Sequence, residues 1–297
     1  GSMGLVMYNS CRGIMQAVGD SKHPLYYLII SSVLNVILDI AFIGLFKMDV
    51  DGAALATIMG LALSTCMGIY YFLRKNKTFS FTLRGLSVKE SLYCLVNGGS
   101  EFINQLAVAI TTIVFNRTAL AFAGEDGVAA YGVIMYAAFL FVAVFVGYAV
   151  GSAPIVSYHY GARNHREVHN LYSMSFRLIG VVAVVMTIGS MFLIPHVARI
   201  FVGYDAGLLA LTTHAFRLYA LSFLIMGFNV YASSFFTALG DGVTSALISF
   251  LRTLLFQVAA VFALPALMGM DGIWLAVTAA ELAALNDGDL VAELFRH

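Results

Sequence analysis

Three acids lie inside long apolar stretches of this chain: Glu101, Asp39 and Glu281. A charge at hydrocarbon depth is costly, and the residues that keep one there mark ion or substrate pathways. Glu101 sits about twelve residues into a stretch that starts near Lys89, roughly 18 Å from that end if the stretch is helical. At helical spacing Asn97, Gln105 and Thr112 fall near its face and Asn116 slightly off it, so a polar stripe interrupts an otherwise apolar helix. A carboxylate in such a stripe can hold H+, Na+ or an organic cation by turns, and exclusive occupancy of one site by two ligands is what antiport requires. Glu281, about nine residues beyond Gly272 and roughly 14 Å deep, is a second coupling or substrate acid. Asp39, with Asn35 one turn earlier, is a third coupling candidate, although its place toward the outer end of its stretch favours interhelical hydrogen bonding.

Other residues could shape a cavity around these acids. Tyr131, Met135 and Tyr136, with Phe139 and Tyr148, could furnish a soft aromatic wall for flat cations. Gly147, Gly151 and Pro154 punctuate one stretch, where they read either as a gating bend or as close packing with a static kink. Arg12, Arg117, Arg217 and Arg252 can snorkel or pair. His159, His165 and His169 lack the carboxylate or thiolate pair that completes familiar metal sets. There is no Walker loop, HExxH, GxSxG or dinucleotide fingerprint, so neither ATP hydrolysis nor intramembrane enzyme chemistry is expected, and no cofactor beyond the coupling H+ or Na+.

The elements that must position these residues are membrane helices. The 297 residues are 61% hydrophobic and 11% charged, against about 25% charged in a soluble domain. Apolar stretches run approximately 4–18, 24–46, 52–73, 90–123, 127–158, 171–194, 211–239, 243–268 and 271–285. Without the alternation of barrel strands, segments of this length leave an all-α polytopic bundle. The net charge is zero, which suggests no nucleic-acid partner. Cys11, Cys66 and Cys94 lie in or beside apolar segments and read as packing residues.

Basic residues orient the bundle. Lys22, then Arg74, Lys75, Lys77, Arg84 and Lys89, then Arg163 and Arg166 fall in one set of alternate loops, which should be cytoplasmic. An internal repeat agrees. Ala17-Val18-Gly19-Asp20 and Ala238-Leu239-Gly240-Asp241 end two stretches on that side, 221 residues apart. Each is followed by an apolar stretch and then an outward turn, Asp51-Gly52 in one copy and Asp271-Gly272 in the other. An even number of crossings between them makes the repeats parallel. The second copy has three full helices before the one that ends at Gly240 and the first copy has none before its own, so the first repeat is expected to be truncated. Residues 1–3 then read as an expression remnant, 4–73 as the late helices of an N-terminal lobe, and 74–89 as a cytoplasmic inter-lobe linker. Residues 90–285 form a C-terminal lobe with a shortened last helix, and 286–297 a polar tail.

At these residues the sequence resembles the multidrug and toxic compound extrusion (MATE) family, in the style of its MepA-like bacterial branch. The resemblance rests on Arg12 through Gly19-Asp20 and Pro24, on Leu34-Asn35 through Asp39, and on Gly52-Ala53-Ala54-Leu55-Ala56-Thr57. It continues through Gly99-Ser100-Glu101, Ala129-Ala130-Tyr131-Gly132, Ala153-Pro154 and Ser157-Tyr158-His159-Tyr160-Gly161-Ala162. It implies parallel six-helix lobes, a multi-pass place in a bacterial plasma membrane, and secondary efflux of hydrophobic organic cations or drugs in exchange for H+ or Na+ by alternating access. No obligate protein partner is implied. The alternatives are a lipid or glycan flippase of the wider superfamily, whose cavity should carry several cations where this chain has an acid-bearing stripe, or an inactive fragment of the antiporter.

Overall fold

Backbone amides in an apolar medium must be satisfied within their own segment, and among the described residues every regular element is helical. The structure, a computed structural model, describes residues 2–75 and 87–294. The chain divides into two units, Gly1–Ser87 and Val88–His297. Most of the expected 74–89 linker lies outside the described residues. Five helices are long and apolar enough to cross a membrane, or six if one bent pair counts as a span, among the described residues.

In the first unit α1 (Ser2–Ala17) and α2 (Lys22–Asp39) pack on α3 (Val50–Tyr70). Two of these helices end in π-helical segments, Ile40–Leu45 after α2 and Tyr71–Lys75 after α3. Small residues let the backbones meet, as is usual where lipid gives no hydrophobic drive. A Cβ on Gly60 would stand 3.2 Å from the Ser31 carbonyl, and the Ser31 hydroxyl donates to the Gly60 carbonyl at 2.6 Å. Tyr8, Cys11, Met15, Tyr27, Tyr71 and Phe72 form the core. Of the three cysteines only Cys11 is buried, whereas Cys66 and Cys94 are exposed. A lipid-facing surface is as apolar as a core, so hydropathy does not separate the two.

In the second unit α4 (Val88–Gly161) comprises two helical spans that meet at Gly124, whose φ of 63° and ψ of −149° lie outside the helical range. The break falls between the expected stretches 90–123 and 127–158. After it come α5 (His165–Val202), α6 (Ala206–Ala220), α7 (Phe223–Ala238) and α8 (Gly242–Phe250), then a π-helical segment Leu251–Phe256, α9 (Gln257–Met268) and α10 (Met270–Leu294). α4 packs on α7 and α8, and α10 packs on α9 and α7. One core cluster surrounds Ile134, Phe216, Phe223 and Trp274; another surrounds Phe145, Ile179 and Tyr231.

Two elements differ from the sequence expectation. The stretch 211–239 is not one helix but α6 and α7, bent by 51°. The Leu221 and Ser222 amides donate to the Leu218 and Tyr219 carbonyls, a tighter i to i−3 pattern. Neither Gly nor Pro announces the break. The last helix continues past 285 through Leu294, so that most of the expected polar tail is helical.

Each unit carries its copy of the Gly-Asp turn with the same local geometry. Gly19 and Gly240 have φ of 84° and 82°, the left-handed conformation that closes a helix with glycine. The Gly19 and Asp20 amides donate to the Gln16 and Met15 carbonyls, each at 3.0 Å, and the Gly240 and Asp241 amides donate to those of Thr237 and Phe236, each at 3.0 Å. Asp20, one residue before the N-cap Ser21, accepts from the His23 amide at 3.2 Å, and Asp241, the N-cap of α8, from the Thr244 amide at 3.0 Å, so each acid satisfies an amide in the first turn of the next helix.

Candidate functional site

Glu101 is exposed on its unit, and its one hydrogen bond among the described residues is from the Gln105 amide to Oε1, at 2.9 Å. A carboxylate held so lightly keeps most of its acceptor capacity for a ligand. The rest of the expected stripe is distributed otherwise. Asn97 turns toward the α7–α8 connection: its Nδ2 donates to the Thr237 carbonyl at 3.4 Å, and its Cα lies 2.5 Å from where a Cβ on Gly242 would stand. Thr112 donates to the Val108 carbonyl and Asn116 to the Thr112 carbonyl, so both are engaged by their own helix. Thus Glu101 and Gln105 form one polar pair, Thr112 and Asn116 another, and Asn97 an interhelical tie.

Glu281 lies in the interior instead, 1% exposed. Its Oε2 accepts from Asn229 Nδ2 at 2.7 Å, and its main-chain carbonyl accepts from the same nitrogen at 2.9 Å. Arg252 Nη1 stands 3.4 Å from Oε1. Arg252 is itself 9% exposed and belongs to the π-helical segment, so it pairs inward and does not snorkel. Three elements, α7, the π segment and α10, therefore converge on one buried carboxylate. Arg252 Nε, Thr278 Oγ1 and Trp274 Nε1 are buried without a hydrogen-bond partner among the described residues. Sequence reasoning singled out Glu281 but missed Asn229 and Arg252 as its partners. The available signal was an acid and a base near mid-span in consecutive antiparallel stretches.

The expected aromatic wall is split. Tyr131 is 4% exposed and stacks on Phe115, centroids 5.2 Å apart, while Tyr136 is 73% exposed and stacks on Phe201. Met135 packs against the larger core. In the first unit Asn35 Nδ2 and Asp39 Oδ1 are both buried without a hydrogen-bond partner among the described residues. Nothing among the described residues lies within 4 Å of a Cβ built on Gly147 or Gly151. The helix runs through Pro154.

At the charge-rich end of the first unit, Asp20 Oδ2 accepts from the Tyr71 hydroxyl at 2.6 Å and lies 2.7 Å from His23 Nδ1. Burial alone would raise the Asp20 pKa, but the bonds from Tyr71 and from the His23 amide and ring together outweigh it and hold the carboxyl below its usual range. In the second unit the corresponding Asp241 Oδ2 accepts from the Thr244 hydroxyl at 2.6 Å.

A protein-family model described as MatE matches residues 101–262. The multidrug export protein MepA of Staphylococcus saprophyticus is 25% identical over 273 residues, which cover 91% of this chain and 60% of that protein. The chain thus spans 60% of the length of this curated relative. A crystal structure of MATE in complex with MaL6 is 24% identical with a TM-score of 0.93, covering 99% of this chain and 67% of that one. A multidrug resistance MATE family transporter of the MOP superfamily, in an outward-facing conformation, is 24% identical with a TM-score of 0.92, covering 99% of this chain and 66% of that one.

Proposed function

This chain belongs to the MatE family, and on that premise we propose that it serves in secondary multidrug efflux, exchanging hydrophobic organic cations for H+ or Na+ across the plasma membrane. The observation that carries the reading is Glu101: an exposed carboxylate in a membrane-length apolar helix, with Gln105 as its one hydrogen-bond partner among the described residues. A cation that reaches it meets carboxyl oxygens with free lone pairs, and a proton or Na+ competes for the same oxygens. The relative named a multidrug export protein supports the same reading. The flippase alternative needs uncompensated cations to neutralise a phosphate headgroup. Arg252, the base nearest mid-span in the second unit, is instead committed to Glu281.

Efflux of a fluorescent lipophilic cation from energised vesicles, under separate H+ and Na+ gradients, tests the reading. Glu101→Gln should remove gradient-driven efflux while leaving passive dye binding to the membrane unchanged. Efflux that persists in the Gln variant would take Glu101 out of the mechanism.

A further inference from the structure

The interior of the second unit holds polar groups that the Glu101 reading does not use. Glu281 is fully enclosed, and both side chains that reach its carboxylate, Arg252 and Asn229, present N–H donors to it. Below it, toward the Gly240–Asp241 turn, four hydroxyls on α7 and α8 form an unbroken chain. Thr237 Oγ1 donates to Ser245 Oγ at 2.7 Å, Ser245 Oγ meets Ser233 Oγ at 2.9 Å, and Ser233 Oγ meets Ser249 Oγ at 2.9 Å. Ser249 is three residues before Arg252, and Ser233 four residues after Asn229. The chain therefore ends about one helical turn, roughly 5 Å of helix rise, from the residues that hold Glu281. At the other end Thr237 adjoins the turn that basic residues assign to the cytoplasm.

We propose that Glu281 is a proton site closed to Na+, and that it exchanges its proton with the Gly240–Asp241 end of the unit along the hydroxyl chain Ser249–Ser233–Ser245–Thr237. This rests on the reading of the protein as an ion-coupled exporter and adds a second site, its ion and its route. Three features carry it. A hydroxyl both gives and takes a proton, so each member passes one on and recovers its own O–H after reorienting. Na+ is a hard cation that needs several oxygen ligands, whereas the groups around the carboxylate are donors and one is already a cation. Arg252 Nε, buried with no partner among the described residues, is a donor free for a further oxygen on the side of the hydroxyl chain.

The step balances. One proton enters the chain from solvent at the Thr237 end as another leaves it at the Ser249 end, so every hydroxyl keeps its O–H; an O–H bond forms on the Glu281 carboxylate, and its negative charge is cancelled. Arg252 keeps its proton, since a guanidinium does not titrate in proteins, and loses its counter-charge. Tyr219 of α6 is the other titratable group close enough to feel both, and Tyr131 of α4 lies near Tyr219. Neither supplies a negative charge at neutral pH. The freed guanidinium must therefore find other acceptors. It is mounted in the π-helical segment Leu251–Phe256, where backbone bonds can change register, a common feature of functional π-bulges. Proton uptake at Glu281 thereby becomes movement of that segment.

Infrared difference spectroscopy of the purified protein during acid titration tests this without transport. A protonated-carboxyl band should appear, vanish in Glu281→Gln, and vanish equally in the charge-neutral double variant Glu281→Gln with Arg252→Gln, which guards against misfolding of the single one. On transfer to D2O the band should shift with a rate slowed at least about tenfold by Ser233→Ala or Ser249→Ala, equivalent to one broken link in the barrier, and restored by Ser→Thr. Na+ at fixed pH should leave the band unchanged. Absence of a Glu281 band, loss of the band in Na+, or exchange as fast in the Ala variants as in the parent protein would each overturn the proposal. None of these results touches Glu101-dependent efflux, so failure here is distinguishable from failure of the exporter reading.

Discussion

Glu101 and Glu281 stand in the same unit, each well inside an apolar helix, and the sequence treats them alike. The structure does not. Glu101 is exposed with one neutral donor at 2.9 Å, whereas Glu281 is enclosed between Asn229 and Arg252. An acid left open at its unit's surface is available to a ligand, while an acid with its own resident cation is integrated into the helix packing and can change state only if its partners do. Depth along a helix sets the cost of a charge; the neighbours around it set its use.

The largest test of this contrast is removal of the resident cation. Arg252→Leu leaves Glu281 buried and unpaired, and should cost about 3–5 kcal/mol of stability, as for one partner removed from a buried pair. Arg252→Met combined with Glu281→Gln should recover most of it, because neither charge then remains buried alone. Thermal unfolding in matched detergent reads both, and a single variant as stable as the parent would mean that the pair is solvated.

The two Gly-Asp turns sharpen the contrast at smaller scale. Asp20 has a carboxyl held below its usual range, so its contribution is fully present above the unfolded carboxylate value of about 3.9 and is lost as pH falls through the folded value. The stability difference between the parent and Asp20→Asn should therefore be constant near neutrality and shrink in acid. Tyr71→Phe, which deletes the hydroxyl at 2.6 Å, should move that loss to higher pH. A pH-independent difference would show that His23 and Tyr71 do not act on Asp20. The smallest expected effect is at the other acid: Glu101→Gln should change stability by no more than about 0.5 kcal/mol, as for an exposed position, while the proposed exchange predicts loss of efflux. A large destabilisation would make Glu101 a packing residue.

Much of the architecture was legible because it depends on one-dimensional properties. Hydropathy and length identify the apolar segments, and a Gly-Asp pair with its flanking residues marks the same turn twice, since only glycine closes a helix easily at φ above 80°. The break at Ser222 was not legible: its side chain is neutral, and its tight i to i−3 bonds come from packing between α6 and its neighbours. The split of Tyr131 from Tyr136 across opposite sides of one helix was hidden for the same reason, because in lipid both faces tolerate an aromatic ring.

What the sequence determined by itself was the run of apolar helical segments and the two Gly-Asp turns, for these follow from residue type and a fixed rise per residue. The partners were decided by tertiary structure. Asn229, Arg252 and Glu281 lie in three elements, and only the packing of α10 against α7 and the π-helical segment brings them together. Azimuth around a helix and the identity of the facing side chain depend on how neighbouring helices pack, which no local pattern of hydropathy encodes.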